Sequence, residues 1–181
     1  MKKFSLNSQN AFEARFAVAL ILLGGLFRVL PHPDNMTPTA ALALFAGVTL
    51  RPRLAFTVPL LIMIASDVFI GFHPLFWLVW PTFALVTWIG HAVSNREGAM
   101  PIVLASFGSS VLFFAVSNLG VFLFEAMYPK TWAGLIQCFT MALPFFRNSL
   151  IGDLAYTAAA FTLYAMAVRR LRAIPNKLRR S

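Results

Sequence analysis

Charge is missing from most of this chain, and the places where it is missing decide what the chain can fold into. Phe16–Phe27, Leu54–Ser66, Leu75–Ile89, Met100–Phe124 and Leu154–Val168 contain no Asp, Glu, Lys or Arg. A bilayer-spanning helix needs about 20 mostly apolar residues. Hydrophobic residues make up 59% of the 181-residue chain and charged residues 12%. A soluble domain carries about a quarter charged residues. The reading is an all-α integral membrane protein, with residues 1–181 forming one transmembrane domain.

Proline and glycine punctuate the apolar runs. They predict spans near residues 11–30, 37–50, 54–70, 75–93, 100–124 and 145–168, a six-transmembrane-helix bundle. A basic tail occupies 169–181. Residues 132–143 are apolar but too few to span, and Pro144 follows, so a short interfacial or re-entrant helix is expected before the last span. The basic start Met1-Lys2-Lys3 resembles a signal peptide. No small-residue cleavage site follows the first apolar run, so it reads as a retained helix.

The net charge of +9 suggests nucleic acid only until its distribution is considered. With both termini cytoplasmic, the inner side collects Lys2, Lys3, Arg15, Arg51, Arg53, Arg96 and the six basic residues of the tail. The outer side keeps Arg28, Lys130 and Arg147. This is the positive-inside bias of a multi-pass protein, and no nucleic-acid partner is expected.

That orientation gathers the polar residues of the spans at the outer end: Arg28, His32, Asp34, Asn35, Asp67, His73, Asn118, Glu125, Arg147, Asn148 and Asp153. Ionisable groups at membrane depth are costly unless they pair or line a wet cavity. Two readings stand, an outward-facing ligand pocket or a buried network in which Arg28 or Arg147 neutralises Asp67 or Asp153. His32 and His73 suit ligands or proton carriers but equally solvated turns, and His91 falls near the inner interface. The single cysteine, Cys138, excludes an internal disulfide and a multi-cysteine metal cluster. It reads as a packing residue more readily than as a soft-metal ligand. No metal site and no cofactor are expected. Trp77, Trp80 and Trp88 fit interfacial anchors or a stacking surface.

The chain has no His-Glu-x-x-His, no phosphate-binding glycine loop with Lys-Ser/Thr, and no Gly-x-Ser-x-Gly. It is not expected to be an enzyme, and energy for any pumping must come from a gradient or a partner. Ala43-x-x-x-Gly47 and Ala155-x-x-x-Ala159 permit close helix approach, within the bundle or against another membrane protein.

The string Arg28-Val-Leu-Pro-His-Pro-Asp-Asn-Met-Thr-Pro-Thr-Ala-Ala-Leu-Ala-Leu-Phe-Ala-Gly47 resembles the start of an uncharacterised bacterial membrane family. Ser66-Asp67 with Gly71-Phe72-His73, Ser117-Asn118-Leu119-Gly120, and Pro144-Phe-Phe-Arg-Asn-Ser-Leu-Ile-Gly-Asp153 resemble its later motifs. That family is similar to the substrate-binding S-components of energy-coupling factor (ECF) transporters, nearest to the solitary cobalamin-type members. The resemblance implies a bacterial inner-membrane protein that takes up a vitamin or other micronutrient. It also implies docking on a coupling transmembrane subunit with ATPases. His32, Asp67, His73, Asn118, Arg147, Asn148 and Asp153 are the matching positions. Cobalamin-binding relatives can ligate cobalt through a cysteine after the third helix; residues 68–94 here have none. The alternatives are a small secondary transporter or channel, which favours polar residues near the midplane on broken helices, and a structural subunit of a larger membrane complex.

Overall fold

The computed structural model describes residues 11–31 and 33–173. They form six helices, α1 (Ala11–Leu26), α2 (Thr39–Thr49), α3 (Pro52–Ile70), α4 (Phe76–Val93), α5 (Met100–Phe124) and α6 (Trp132–Ala173), and no strand occurs among them. Lys2, Lys3 and the tail from residue 174, which carry part of the orientation argument, lie outside the described residues.

Local chemistry sets the helix ends. Beyond Leu26 the amides of Phe27, Arg28 and Val29 bond three residues back, each at 3.1 Å, before Pro31 stops the turn. Prolines stand in the first turn of α3 and α5, where a missing N–H costs nothing. Gly71 closes α3 at φ 101°, a conformation that favours glycine. Thr131 caps α6, its hydroxyl accepting from the Gly134 amide at 3.1 Å.

α3, α4, α5 and residues Trp132–Arg170 of α6 are long and apolar enough to cross a membrane. Their outer faces present Leu61, Val68, Trp88, Leu104, Phe107 and Ile136 uncovered. A soluble monomer rarely leaves so continuous an apolar surface open, and the surface is compatible with a lipid surrounding.

Three expected segments differ. α1 has sixteen described residues and ends at Leu26 rather than residue 30, so it is not among the four helices long enough to cross a membrane. Residues 37–50 do not make a spanning helix: α2 has eleven residues, all buried, and is about 16 Å long, roughly half the hydrocarbon thickness. It is the central post of the bundle and packs against all five other helices. Leu42, Phe45 and Ala46 meet Ala17, Ile21 and Tyr164 on one side of α2, and Ala40, Ala43 and Leu44 meet Met63, Val86 and Ala105 on the other. The Phe45 ring stands edge-on to Phe161 and Tyr164, with centroids 5.1 and 5.5 Å away.

Nor is there a separate short helix at 132–143. α6 continues through Pro144 for 42 residues, about 63 Å. Ending a helix in an apolar medium strands about four carbonyls on one side and four amides on the other. Continuing through proline removes only the bond to the Thr140 carbonyl, so continuation costs less. Pro59 in α3 and Pro81 in α4 are accommodated likewise.

α2 and α4 touch backbone to backbone. A methyl group at Gly47 would run into the Thr87 carbonyl oxygen, and one at Gly90 into that of Leu44. This contact uses Gly47 of the small-residue pair within the bundle.

Candidate functional site

Three connections meet at one end of the bundle: 27–38, 71–75 and 125–131. Arg51, Arg53 and Arg96 lie at the opposite helix ends. Two polar clusters and one sizeable cavity occupy the first end and the seam beneath it.

Arg28 and Asp67 form the first cluster. The guanidinium lies 2.7 Å from the Asp67 carboxylate, with side-chain exposures of 16% and 5%. It also donates to Ser66 Oγ and, at 3.2 Å, to the Met63 carbonyl. The second Asp67 oxygen accepts from Trp80 Nε1 at 2.8 Å. Arg28, just beyond α1, is thereby tied to α3 and α4. Phe72, Phe76 and Trp80 pack as a cluster of rings beside it, with centroids 5.2 to 6.2 Å apart. The void next to Arg28 holds about 10 Å³, at the lower limit for one water. This is a latch between helices: every charge in it is used inside the protein.

Asp153 belongs to a second cluster, in the seam between α5 and α6. It is buried and accepts from Ser110 Oγ at 2.7 Å. Ser110 also reaches the Ser106 carbonyl at 3.1 Å, and Ser106 shares a 3.1 Å bond with Thr157. No basic side chain among the described residues pairs with Asp153.

The cavity, about 250 Å³, lies between α4, α5 and α6 and is lined by residues of all three connections. Phe113, Phe114, Phe145 and Phe146 give it aromatic walls; Ser117, Asn118, Glu125 and Ser149 give it polar ones. Asn35 and His73 reach it from the connections. The first connection is pinned above α6, since Asn148 Nδ2 donates to the Asp34 carbonyl at 3.2 Å and Ser149 Oγ to the Asn35 carbonyl at 3.1 Å. Asn35 holds φ at 58°, a left-handed turn that asparagine tolerates. His73 Nδ1 accepts from the Leu75 amide at 3.0 Å, which leaves Nε2 as the free ring nitrogen.

Residues 8–175 match a family described as a family of unknown function (DUF6580). The chain belongs to that family. No curated protein and no solved structure matches it.

In this DUF6580 member the expected site residues separate into groups. Asn35, His73 and Asn118 line the cavity. Asn148 holds its roof. Arg28 and Asp67 form the latch, Asp153 sits in the seam, and Arg147 is exposed on α6. His32 lies outside the described residues. Both sequence readings thus have a place: Arg28 neutralises Asp67, while a cavity exists beside them with other walls. Cys138 is buried, its Sγ 3.4 Å from the Asn118 carbonyl. Among the described residues no three His, Cys, Asp or Glu side chains are grouped to hold a metal ion.

The cavity's aromatic walls were not among the expected site residues. Their signal lies in helical spacing, Phe114, Asn118 and Val121 recurring on one face of α5 and Ala142, Phe145, Phe146 and Ser149 on one face of α6. Phenylalanine is common throughout this chain, so spacing alone does not separate a wall facing a cavity from one facing lipid.

Proposed function

We propose that this protein is a membrane-embedded, S-component-like subunit that binds a vitamin or other small micronutrient for uptake across a bacterial inner membrane. The observation carrying this reading is the aromatic cavity of about 250 Å³ with a few converging polar groups, the usual form of a small-molecule site. It lies at the end away from Arg51, Arg53 and Arg96, the outer end under the positive-inside bias. In this reading both termini are cytoplasmic, and α1 with the short buried α2 completes a six-helix bundle. The substrate enters beneath the connection held by Asn148 and Ser149. The chain has no phosphate-binding loop, so the energy comes from a coupling subunit with ATPases. The cavity suits a one- or two-ring compound; a corrinoid is several times larger.

Mass spectrometry of small molecules released from the detergent-purified protein tests this. A compound enriched in wild type and missing from Asn118→Trp, which places a large side chain in the cavity, supports the reading. An identical profile from both proteins removes it.

Asp153 favours a second reading, a small ion-coupled secondary transporter. Ser149, one helical turn before it on α6, lines the cavity. The hydroxyls of Ser110, Ser106 and Thr157 carry polarity further along the seam. Intramembrane carboxylates of this kind mark ion and proton pathways. Gradient-driven uptake by the chain alone in proteoliposomes, abolished by Asp153→Asn, would favour it over the ATPase-coupled subunit.

A further inference from the structure

We infer that the cavity selects a small organic cation, an amine or a cationic ring nitrogen on an apolar body. This rests on the binding-subunit reading and adds the class of substrate.

The inference follows from which hydrogen-bonding capacity the protein leaves unused. One Asn118 Nδ2 hydrogen is committed to the Phe114 carbonyl at 2.7 Å, so the side chain retains the Oδ1 acceptor and one N–H. Ser117 Oγ donates to the Phe113 carbonyl at 2.6 Å and Ser149 Oγ to the Asn35 carbonyl at 3.1 Å. A hydroxyl has one proton and two acceptor lone pairs. Both serines have therefore spent their donors and keep acceptor capacity. The Glu125 carboxylate, an acceptor only when ionised, also lines the cavity and makes no ion pair among the described residues. The remaining donors are the second Asn118 N–H and His73 Nε2, which can donate when the ring is neutral.

No Lys or Arg side chain lines the cavity, although Lys130 Nζ lies 2.7 Å from the carbonyl oxygen of Glu125. The three basic residues expected at this end are Arg28, Lys130 and Arg147. Arg28 is consumed by Asp67. Lys130 Nζ caps α5, donating to the carbonyls of Phe122 and Glu125 and lying 5.2 Å from the Phe122 ring centre. Arg147 is exposed on another face of α6. A buried anion would meet lone pairs and a carboxylate, which is unfavourable. A cation would meet those same groups in a cavity walled by four phenyl rings, and a ring attracts a cation set over its face. Acceptor-rich polar groups, aromatic walls and one carboxylate therefore point to the same charge.

Calorimetric titration of the full-length protein in detergent tests this with benzyltrimethylammonium, phenylacetate and benzyl alcohol, alongside charge assignment of any compound released on denaturation. Benzyltrimethylammonium is expected to bind about tenfold or more tighter than the other two. Glu125→Gln and Phe146→Leu should each weaken it by about that factor and weaken benzyl alcohol by much less. A normal gel-filtration profile would show that each variant is folded. Equal or tighter binding of phenylacetate, or release of an anionic or neutral compound, overturns the cation inference and leaves the binding subunit standing. If no probe binds and no compound is released, both readings fall.

Discussion

Removing Arg28 should cost far more stability than removing the whole Arg28–Asp67 pair. With Arg28→Met, Asp67 becomes a carboxylate 5% exposed and held only by the Trp80 N–H. Breaking a buried pair from one side costs about 3–5 kcal/mol, because the remaining charge is uncompensated. Asp67→Asn is milder. It keeps an acceptor for Trp80, and Arg28, at 16% exposure, can lean toward solvent; losing a charged hydrogen bond then costs about 1.5–3 kcal/mol. The double variant Arg28→Met/Asp67→Asn has no buried charge left. It should recover about 2 kcal/mol or more relative to Arg28→Met alone, as buried pairs replaced by uncharged groups do. Chemical unfolding in mixed micelles of all four proteins measures that coupling. Strictly additive losses would refute the latch and return Asp67 to the candidates for ligand contact.

Gly47→Ala should destabilise by about 3 kcal/mol, the upper end of overpacking costs, since its methyl meets the Thr87 carbonyl. Gly108→Ala, where nothing lies within 4 Å, should be neutral or gain up to about 1 kcal/mol; equal melting temperatures would disprove the tight α2–α4 crossing. Spin labels at positions 136 and 163 should report a separation of about 40 Å if α6 is continuous, and a markedly shorter one would restore a break at Pro144. Cys138→Ala should change stability by about 1 kcal/mol or less, because it loses a weak S–H donor and little volume; a larger loss of binding in the titrations above would make the thiol a ligand. Single cysteines at positions 34 and 97 should label from opposite sides of intact membranes, 34 from outside, and the reverse would invert the orientation.

Helices α3, α4 and α5 were legible in the sequence nearly to their ends, because their boundaries follow from local chemistry. A long uncharged run must satisfy its own backbone in an apolar medium, and Pro52, Gly71, Pro101 and the charged 96–97 pair mark where it stops. The clustering of Arg28, Asn35, Asp67 and His73 toward one end was legible for the same reason, since burying charge along the spans is costly; Asp153, expected there too, lies instead in the seam against Ser110. What sequence could not decide was which apolar runs face lipid and which face protein. α2 has the composition of a span, yet its eleven residues are all enclosed. Gly47 and Gly90 bring its backbone against α4, a contact between residues distant in the chain. Pro144 looked like a terminus; only the balance between one lost bond and several stranded groups keeps α6 whole. The polar cluster divided on the same principle. Arg28 is drawn to Asp67 across 39 residues of chain and leaves the pocket, while phenylalanines that resemble any other lipid-facing residue turn inward to wall it. Local patterning determines which segments are helical; the partner each face meets depends on packing between helices, and packing decides where the cavity forms.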